Sequence, residues 1–593
     1  LILLILIALS IPLGVYMTRV LDRGGAANRI ERAVDTGPQT WLQYAVAMLL
    51  FNVAVWLIGF AVLASQPYHP QFLNPDGKGM LAPGTIFNTC ASFLSNTNLQ
   101  HYSGEVHLSY GSQLFGIMWN QFVSPAIGLA ALLAIIRALR GDKLLGNFYL
   151  DVWRSVVYLF LPLSLIVGLL LVTGGMPMTM AGNAKVTTLE GPEQVIARGP
   201  AAAIVAIKQL GTNGGGFFGA NSAHPFENPS AFTNVVECVC ILLVPMATLV
   251  MFGRMIRNRR HAAVIYAVSL AMLVGLIGWA VAHDTLQPNP GLTDRAAMDE
   301  FHVAGFDTDG QPVTKDVPAP ALAGLPVDQS GVGNLEGKEL RFGVSAGATW
   351  SAITTATSNG SVNCMHDSLN PLAGITPLTG MWLNCIFGGV GVGLINLLVY
   401  LVVGVFLAGL MVGRTPEYLG KKVEAREMKL AMLGLLIHPL MVLGPTGLFA
   451  ATDWADKSAN NPAAHGLSET LYEFTSASAN NGSEFGGLQQ TWGFNDPKAN
   501  PSMPAPCSFQ WDIATGLVML LSRFVPIIAP LALAASLAAK KPTPFTSGTM
   551  RTDTVTFGFV LLGTIILVGA LLFLPAAALG PIADHLGPLP FGG

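Results

Sequence analysis

Charged side chains are scarce in this sequence. Asp, Glu, Lys and Arg make up 11% of its 593 residues while 52% are hydrophobic, against about 25% charged in ordinary soluble domains. So few polar groups cannot cover a water-facing surface, which excludes a soluble globular protein. A net charge of −3, with no basic stripe and no nucleic-acid motif, excludes nucleic acid as a partner. Cysteine is equally sparse. Cys90, Cys238, Cys240, Cys364, Cys385 and Cys507 form no C-x-x-C pair and have no His at zinc-site spacing, and most sit in apolar runs where a free thiol acts as a small hydrophobe. The chain also lacks a G-x-x-x-x-G-K-[ST] phosphate loop, a D-K-T-G motif and a polar segment large enough for a nucleotide domain. It is expected to be no enzyme on its own, any ATP being handled by another chain.

Long apolar runs are what the chain has in abundance. Spanning helices need about 20 such residues, and ten candidates lie near 1–18, 41–64, 112–136, 149–173, 231–253, 262–283, 378–411, 430–450, 511–538 and 554–578. The first, LILLILIALSIPLGVYM, carries its charges after the apolar run and has no A-x-A site, so it reads as a spanning helix rather than a signal peptide. As the sequence does not begin with Met, a few leading residues are expected to be missing. Nineteen of the 31 basic residues fall in five segments that follow every second span: TRVLDRGGAANRIER, RALRGDK, GRMIRNRR, GRTPEYLGKKVEAREMK and KKPTPFTSGTMR. Short cytoplasmic loops carry such an excess, which predicts a multi-pass protein with both termini external.

The connections on the other side share one polar element in four divergent copies: SNTNLQHYSGE (95–105), GTNGGGFFGANSAHPFENP (211–229), TSNGSVNCMHDSLNP (357–371) and ANNGSEFGG (479–487). Aligned on their centres, they place Asn98, Gly214, Gly360 and Gly482 at one position, preceded by Thr97, Asn213, Asn359 and Asn481. Each follows a short apolar run (GTIFNTCASFL, AAAIVAIKQL, GATWSAITTA, SETLYEFTSAS) suited to a re-entrant helix. Any one copy alone reads as a surface turn. Four at matching positions imply a shared axial cavity, because irregular backbone at membrane depth is tolerated only where it is buried or lines water. A pore that strips water from an ion replaces the hydration shell with neutral oxygens. Turning successive carbonyls inward needs residues tolerant of positive φ, Gly first and Asn next. With few carboxylates in the loops, a potassium filter is expected rather than a calcium or magnesium one. The candidate filter residues are Asn96, Thr97, Asn98 and Gln100; Thr212, Asn213 and Gly214; Ser358, Asn359 and Gly360; and Asn480, Asn481 and Gly482.

Beneath the filter, the run from Leu378 to Met411 is too long for one straight crossing and holds Gly380, Gly388, Gly389, Gly391 and Gly393. It reads as a broken helix marking an ion path, or as a helix whose glycines permit close packing. Arg523 lies inside an apolar helix, where a charge is costly unless paired or facing a cavity. It either repels cations in the pore or pairs with a carboxylate such as Glu237. Glu105, Asp367 and Glu227 flank the loops and either focus the field or act as mouth residues and caps. His366 and His224 have no second His or Cys at metal-site spacing. Arg414 is expected to meet a partner subunit or lipid headgroups.

SNTNLQHYSGE, GTNGGGFFGANSAHPFENP, VNCMHDSLNPL, VGRTPEYLGKK and TSASANNGSEF resemble the superfamily of potassium transporters made of four fused helix-loop-helix units, and within it the A subunits of the bacterial Kdp potassium-transporting ATPase. The resemblance covers nearly the whole chain. It departs at Asn359, where some relatives have Cys, and in the length of the external stretch 284–340. It implies an all-α membrane fold of four pore repeats around a pseudo-fourfold axis, with one extra helix at each end. The expected divisions are 1–40 (first helix), 41–148, 149–261, 262–429 and 430–541 (the repeats), and 542–593 (last helix). It further implies K+ as the transported ion with no organic cofactor, and a pore blocked beneath the filter by Gly388, Gly389, Gly391 and Arg523. A P-type ATPase B subunit, small C and F subunits and a bacterial inner membrane location follow from the same resemblance. The alternatives are a stand-alone channel or cation symporter of the same superfamily, an intramembrane enzyme, which would need catalytic groups clustered inside the spans, and a scaffold, which would leave the repeated loops unexplained.

Overall fold

The computed structural model describes residues 2–289, 333–411, 413, 415–485, 507–543 and 550–587, and the backbone of 300–306 and 312–318. Ten helices among the described residues are long and apolar enough to cross a membrane: Ile2–Leu21, Trp41–Ala64, Ser112–Arg140, Phe148–Thr173, Ala231–Met255, Arg259–Thr285, Val392–Met411, Ala425–Ala450, Ser508–Ala538 and Val555–Leu586, here spans 1 to 10. Side-chain caps start several of them, satisfying amides that a helix leaves unpaired. Thr40 and Gln43 form a capping box on span 2, Ser230 and Thr233 one on span 5, and Thr554 caps span 10. Gly141, at φ 109°, ends span 3.

Span 3 is almost wholly buried and forms the centre. Spans 2, 4 and 10 turn Leu50, Val53, Leu57, Leu165, Leu169, Phe559 and Leu571 outward, an apolar surface that suits lipid rather than water. Span 1 lies against span 5 so closely that a Cβ on Gly14 would come 2.6 Å from the Ala247 carbonyl, the close approach small residues allow in membranes.

The five basic segments gather on one face. Arg140 Nη1 pairs with Asp22 Oδ2 at 2.8 Å, Lys421 Nζ donates to the Leu139 carbonyl, Lys540 Nζ pairs with Glu424 and Glu427, and the His261 ring bonds the Thr552 carbonyl. Arg414 itself lies outside the described residues.

Between successive spans, and away from the basic face, four shorter helices enter the bundle: Pro83–Leu94, Ala201–Leu210, Val344–Ala356 and Ala463–Ala479. They stand where the sequence places a re-entrant helix before each polar loop and are labelled pore helices 1 to 4 after that expectation. The apolar run from Leu378 is interrupted as its length demands. The helix Pro371–Leu383 ends at Asn384 in the left-handed conformation, and span 7 restarts at Val392. Phe387, Gly388 and Gly391 take positive φ in between. Small antiparallel hairpins pair Ala184–Thr187 with Glu193–Ile196 and Glu300–Phe306 with Pro312–Pro318.

Candidate functional site

Every pore helix ends in the same way. The amide of Thr97 donates to the carbonyl of Ser92, Asn213 to Lys208, Asn359 to Thr354 and Asn481 to Ser476, each five residues back and at 2.8–2.9 Å. Helix C-termini carry partial negative charge, so four of them ending in adjoining loops favour a cation there. The residue just before each of these amides is left-handed although none is glycine: Asn96, Thr212, Ser358 and Asn480, with φ of 64°, 49°, 47° and 51°. The residue just after is left-handed as well: Asn98 at 57°, Gly214 at 97°, Gly360 at 95° and Gly482 at 92°. Two left-handed residues flanking one that is not set successive carbonyls to one side of the chain, instead of the alternating sides of a strand. Thr and Ser pay a steric penalty for such φ values, and surrounding bonds hold them there. Thr212 Oγ1 accepts from the Val390 amide at 2.9 Å, and Ser358 Oγ donates to Asn384 Oδ1 at 2.6 Å.

The loops close a ring in sequence order. A Cβ on Gly214 would lie 2.1 Å from the Asn359 carbonyl oxygen, one on Gly360 1.9 Å from that of Asn481, and one on Gly482 1.8 Å from that of Thr97. Between loops 1 and 2, a Cβ on Gly215 would meet the Asn98 carbonyl oxygen at 2.9 Å. Side chains tie neighbours together. Asn96 Nδ2 donates to the Thr212 carbonyl, Asn480 Nδ2 to Thr97 Oγ1, and the Asn96 and Asn213 amides lie 2.8 Å apart. Asn359 Nδ2 reaches the Lys208 carbonyl and Asn481 Nδ2 the Thr354 carbonyl. Gln100 is bonded through both amide atoms to Gly216, so its side chain binds loop to loop. The buried Asn98 side chain, alone of the four central positions in having one, makes no hydrogen bond among the described residues.

The interrupted helix lies directly against this ring. The Gly388 amide donates to the Ala356 carbonyl, a Cβ on Gly389 would stand 3.6 Å from Thr212 Oγ1, and one on Gly391 would meet the Gly128 carbonyl at 2.2 Å. Arg523 is 4% exposed, and its Nη2 donates to the Ser124 carbonyl at 3.2 Å. Ser124 Oγ in turn donates to Asn96 Oδ1. Arg523 makes no ion pair among the described residues. Glu237, the carboxylate considered for it, instead accepts from Gln209 and Ser222 behind pore helix 2. A small cavity is lined by Arg523, Asn96, Ser358, Asn480, Gly389 and His438, so the guanidinium faces the underside of the loops.

The flanking carboxylates have partners. Glu227 and Lys208 form a fully buried ion pair at 2.5 Å, Glu105 accepts from the Gly219 amide, and Asp367 bonds His465. His366 is buried against the Tyr472 hydroxyl, and His224 stacks on Phe218. Sequence reading missed His101, which joins loop 1 to Asp512 at 2.7 Å and to Glu473 at 3.2 Å. Only its place within SNTNLQHYSGE hinted at a role. Burial alone would lower this imidazole; the two carboxylate bonds outweigh it and hold it up at about 10. Glu484, which accepts from the Gln100 amide, is pushed upward by burial and then by Glu473.

Known proteins are similar to this chain along nearly its whole length. The family described as potassium-transporting ATPase A subunit matches residues 1–586. A potassium-transporting ATPase potassium-binding subunit of Geobacillus kaustophilus is 43% identical, over 99% of this chain and 98% of its own length. Those of Parabacteroides distasonis and Alicyclobacillus acidocaldarius are 42% and 44% identical, over 98% and 99% of this chain and 97% and 98% of their own. With ten apolar helices and a match along nearly its whole length, the chain belongs to the potassium-transporting ATPase A subunit family.

Proposed function

We propose that this chain is the potassium-binding, channel-like subunit of an ATP-driven uptake complex in a bacterial inner membrane. The observation that carries this reading is the fourfold repetition of paired left-handed residues, closed into a ring by carbonyl-to-glycine approaches of 1.8–2.9 Å for a built Cβ. Such a ring offers K+ neutral oxygens in place of water, and the pore-helix ends add negative potential. The ion enters from the face opposite the basic segments and is held by Asn96–Asn98, Thr212–Gly214, Ser358–Gly360 and Asn480–Gly482. Downward escape is opposed by the interrupted helix at Gly388–Gly391 and by the charge of Arg523. The ion is therefore passed to a P-type ATPase B subunit, which hydrolyses ATP, with small C and F subunits completing the assembly and Arg414 meeting a partner subunit or lipid headgroups. The relatives' printed names, which pair potassium binding with an ATPase, support the same division of labour.

The test is potassium uptake at micromolar external concentration in cells without other uptake systems. Uptake is expected only when the chain is expressed with its ATPase partners, and Gly214→Asp is expected to abolish it or change ion preference. Passive K+ flux from the chain alone would replace this reading with a stand-alone channel or symporter.

A further inference from the structure

A second cluster of ion-binding groups lies between the ends of loops 3 and 4 and serves none of the steps above. Asp367 lies near the end of loop 3, and its amide donates to the Phe485 carbonyl near the end of loop 4. His465 and Glu469 lie one turn apart on pore helix 4, so their side chains share a helix face. One ligand atom from each of Asp367, His465 and Glu469 lies within 4.8 Å of the others, a spacing that a single ion can bridge with small shifts. His465 Nε2 is 2.8 Å from Asp367 Oδ1, and Nδ1 is 2.9 Å from Asp584 Oδ2 at the end of span 10. A carboxylate on one ring nitrogen, with the other directed at further ligands, is the usual support of a metal-bound histidine. Glu469 is fully buried, held by Asn461 Nδ2 at 2.7 Å and the Asn460 amide at 3.0 Å. Among the described residues Asp367 and Asp584 share His465 as their ion-pair partner and Glu469 has none, so the cluster holds more carboxylates than cations, an imbalance that a bound cation would offset.

We infer that Asp367, His465 and Glu469 bind one divalent first-row transition ion, with Asp584 holding the remaining ring nitrogen of His465. One imidazole nitrogen with two carboxylate oxygens suits Zn2+ or Mn2+ better than K+ or Mg2+. On binding, the ion takes the Nε2 lone pair and the proton there leaves to solvent, with no change of oxidation state. The ion would join loop 3, pore helix 4 and the end of span 10.

The test uses the full chain, without a histidine tag, purified in detergent and titrated with ZnCl2 against a chromogenic zinc indicator. One saturable site per chain is expected, weakened at least tenfold by Glu469→Gln or His465→Gln. Asp584→Asn is expected to weaken it by about 10- to 100-fold, the usual effect of losing an outer partner. X-ray absorption of the zinc-loaded wild-type chain needs no variant to fold and should show one imidazole among oxygen ligands. Absence of a saturable site, a site untouched by the substitutions, or a spectrum with several imidazoles or with sulfur would overturn the proposal and leave His465 as an ion-pair bridge only. Potassium uptake with the ATPase partners is measured separately, so failure here leaves the filter reading standing.

Discussion

A methyl group added at Gly482 would sit 1.8 Å from the Thr97 carbonyl oxygen, on a backbone with φ of 92°. Gly482→Ala therefore meets both a steric clash and a left-handed penalty of about 1–2 kcal/mol. Concentration-dependent uptake by the complex should show K+ affinity reduced at least tenfold, with a lowered unfolding temperature. Gly275→Ala is the contrasting case, since nothing lies within 4 Å of a Cβ there and alanine is the better helix former by roughly 1 kcal/mol. Uptake should be unchanged and stability equal or higher. Arg523, buried with a carbonyl as its bonded partner, should tolerate Arg523→Met without loss of folding, because the costly buried charge is removed. The same variant is expected to leak K+ passively in liposomes, and an ion-tight variant would remove Arg523 from the block.

At the scale of elements, buried ion pairs fasten the pore helices to their surroundings. Lys208 of pore helix 2 reaches Glu227, Asn221 and Ser222 in the loop outside it. Lys208→Met strands a buried carboxylate and should cost about 3–5 kcal/mol. Adding Glu227→Gln should recover part of that, measured by thermal unfolding in detergent. His101 fastens loop 1 to pore helix 4 and span 9, and its imidazole is raised from 6.5 to about 10. A raised histidine contributes its full stabilisation below the unfolded value of 6.5 and loses it as pH rises toward and through about 10. The unfolding temperature of the wild-type chain should therefore fall between pH 7 and 10 more steeply than that of His101→Gln. Parallel profiles would exclude this bridge as the cause. Repeat, loop and interrupted helix were all legible in sequence at this scale: Asn and Gly at aligned positions demanded left-handed backbone, and a 34-residue apolar run with five glycines in its first half could not cross as one rod. The left-handed Thr212 and Ser358 were not legible as such, because their own propensities oppose it and tertiary bonds impose it.

For the whole molecule, orientation is open to a direct check. The five cysteines at 90, 238, 240, 364 and 385 are buried, so an impermeant maleimide on a Cys507→Ser background reports introduced sites alone. Leu189→Cys, fully exposed in the loop before pore helix 2, should be labelled in intact cells. Arg140→Cys, on the basic face, should react only after lysis, and the reverse pattern would invert the proposed topology. Membrane residence, ten candidate spans among the described residues, the grouping of basic loops and the fourfold element were determined by the sequence alone, because hydropathy, charge bias and backbone tolerance are local properties that repeat along the chain. What only the tertiary structure decided is which side chains meet. Asp367, His465, Glu469 and Asp584 come from three distant segments, Glu237 turns to Gln209 rather than Arg523, and the loops close in the order 1-2-3-4 through single carbonyl-to-glycine approaches. Spacing along a chain records turns of one helix, whereas these contacts depend on how separate helices are set against each other, and that is fixed only once the bundle has packed.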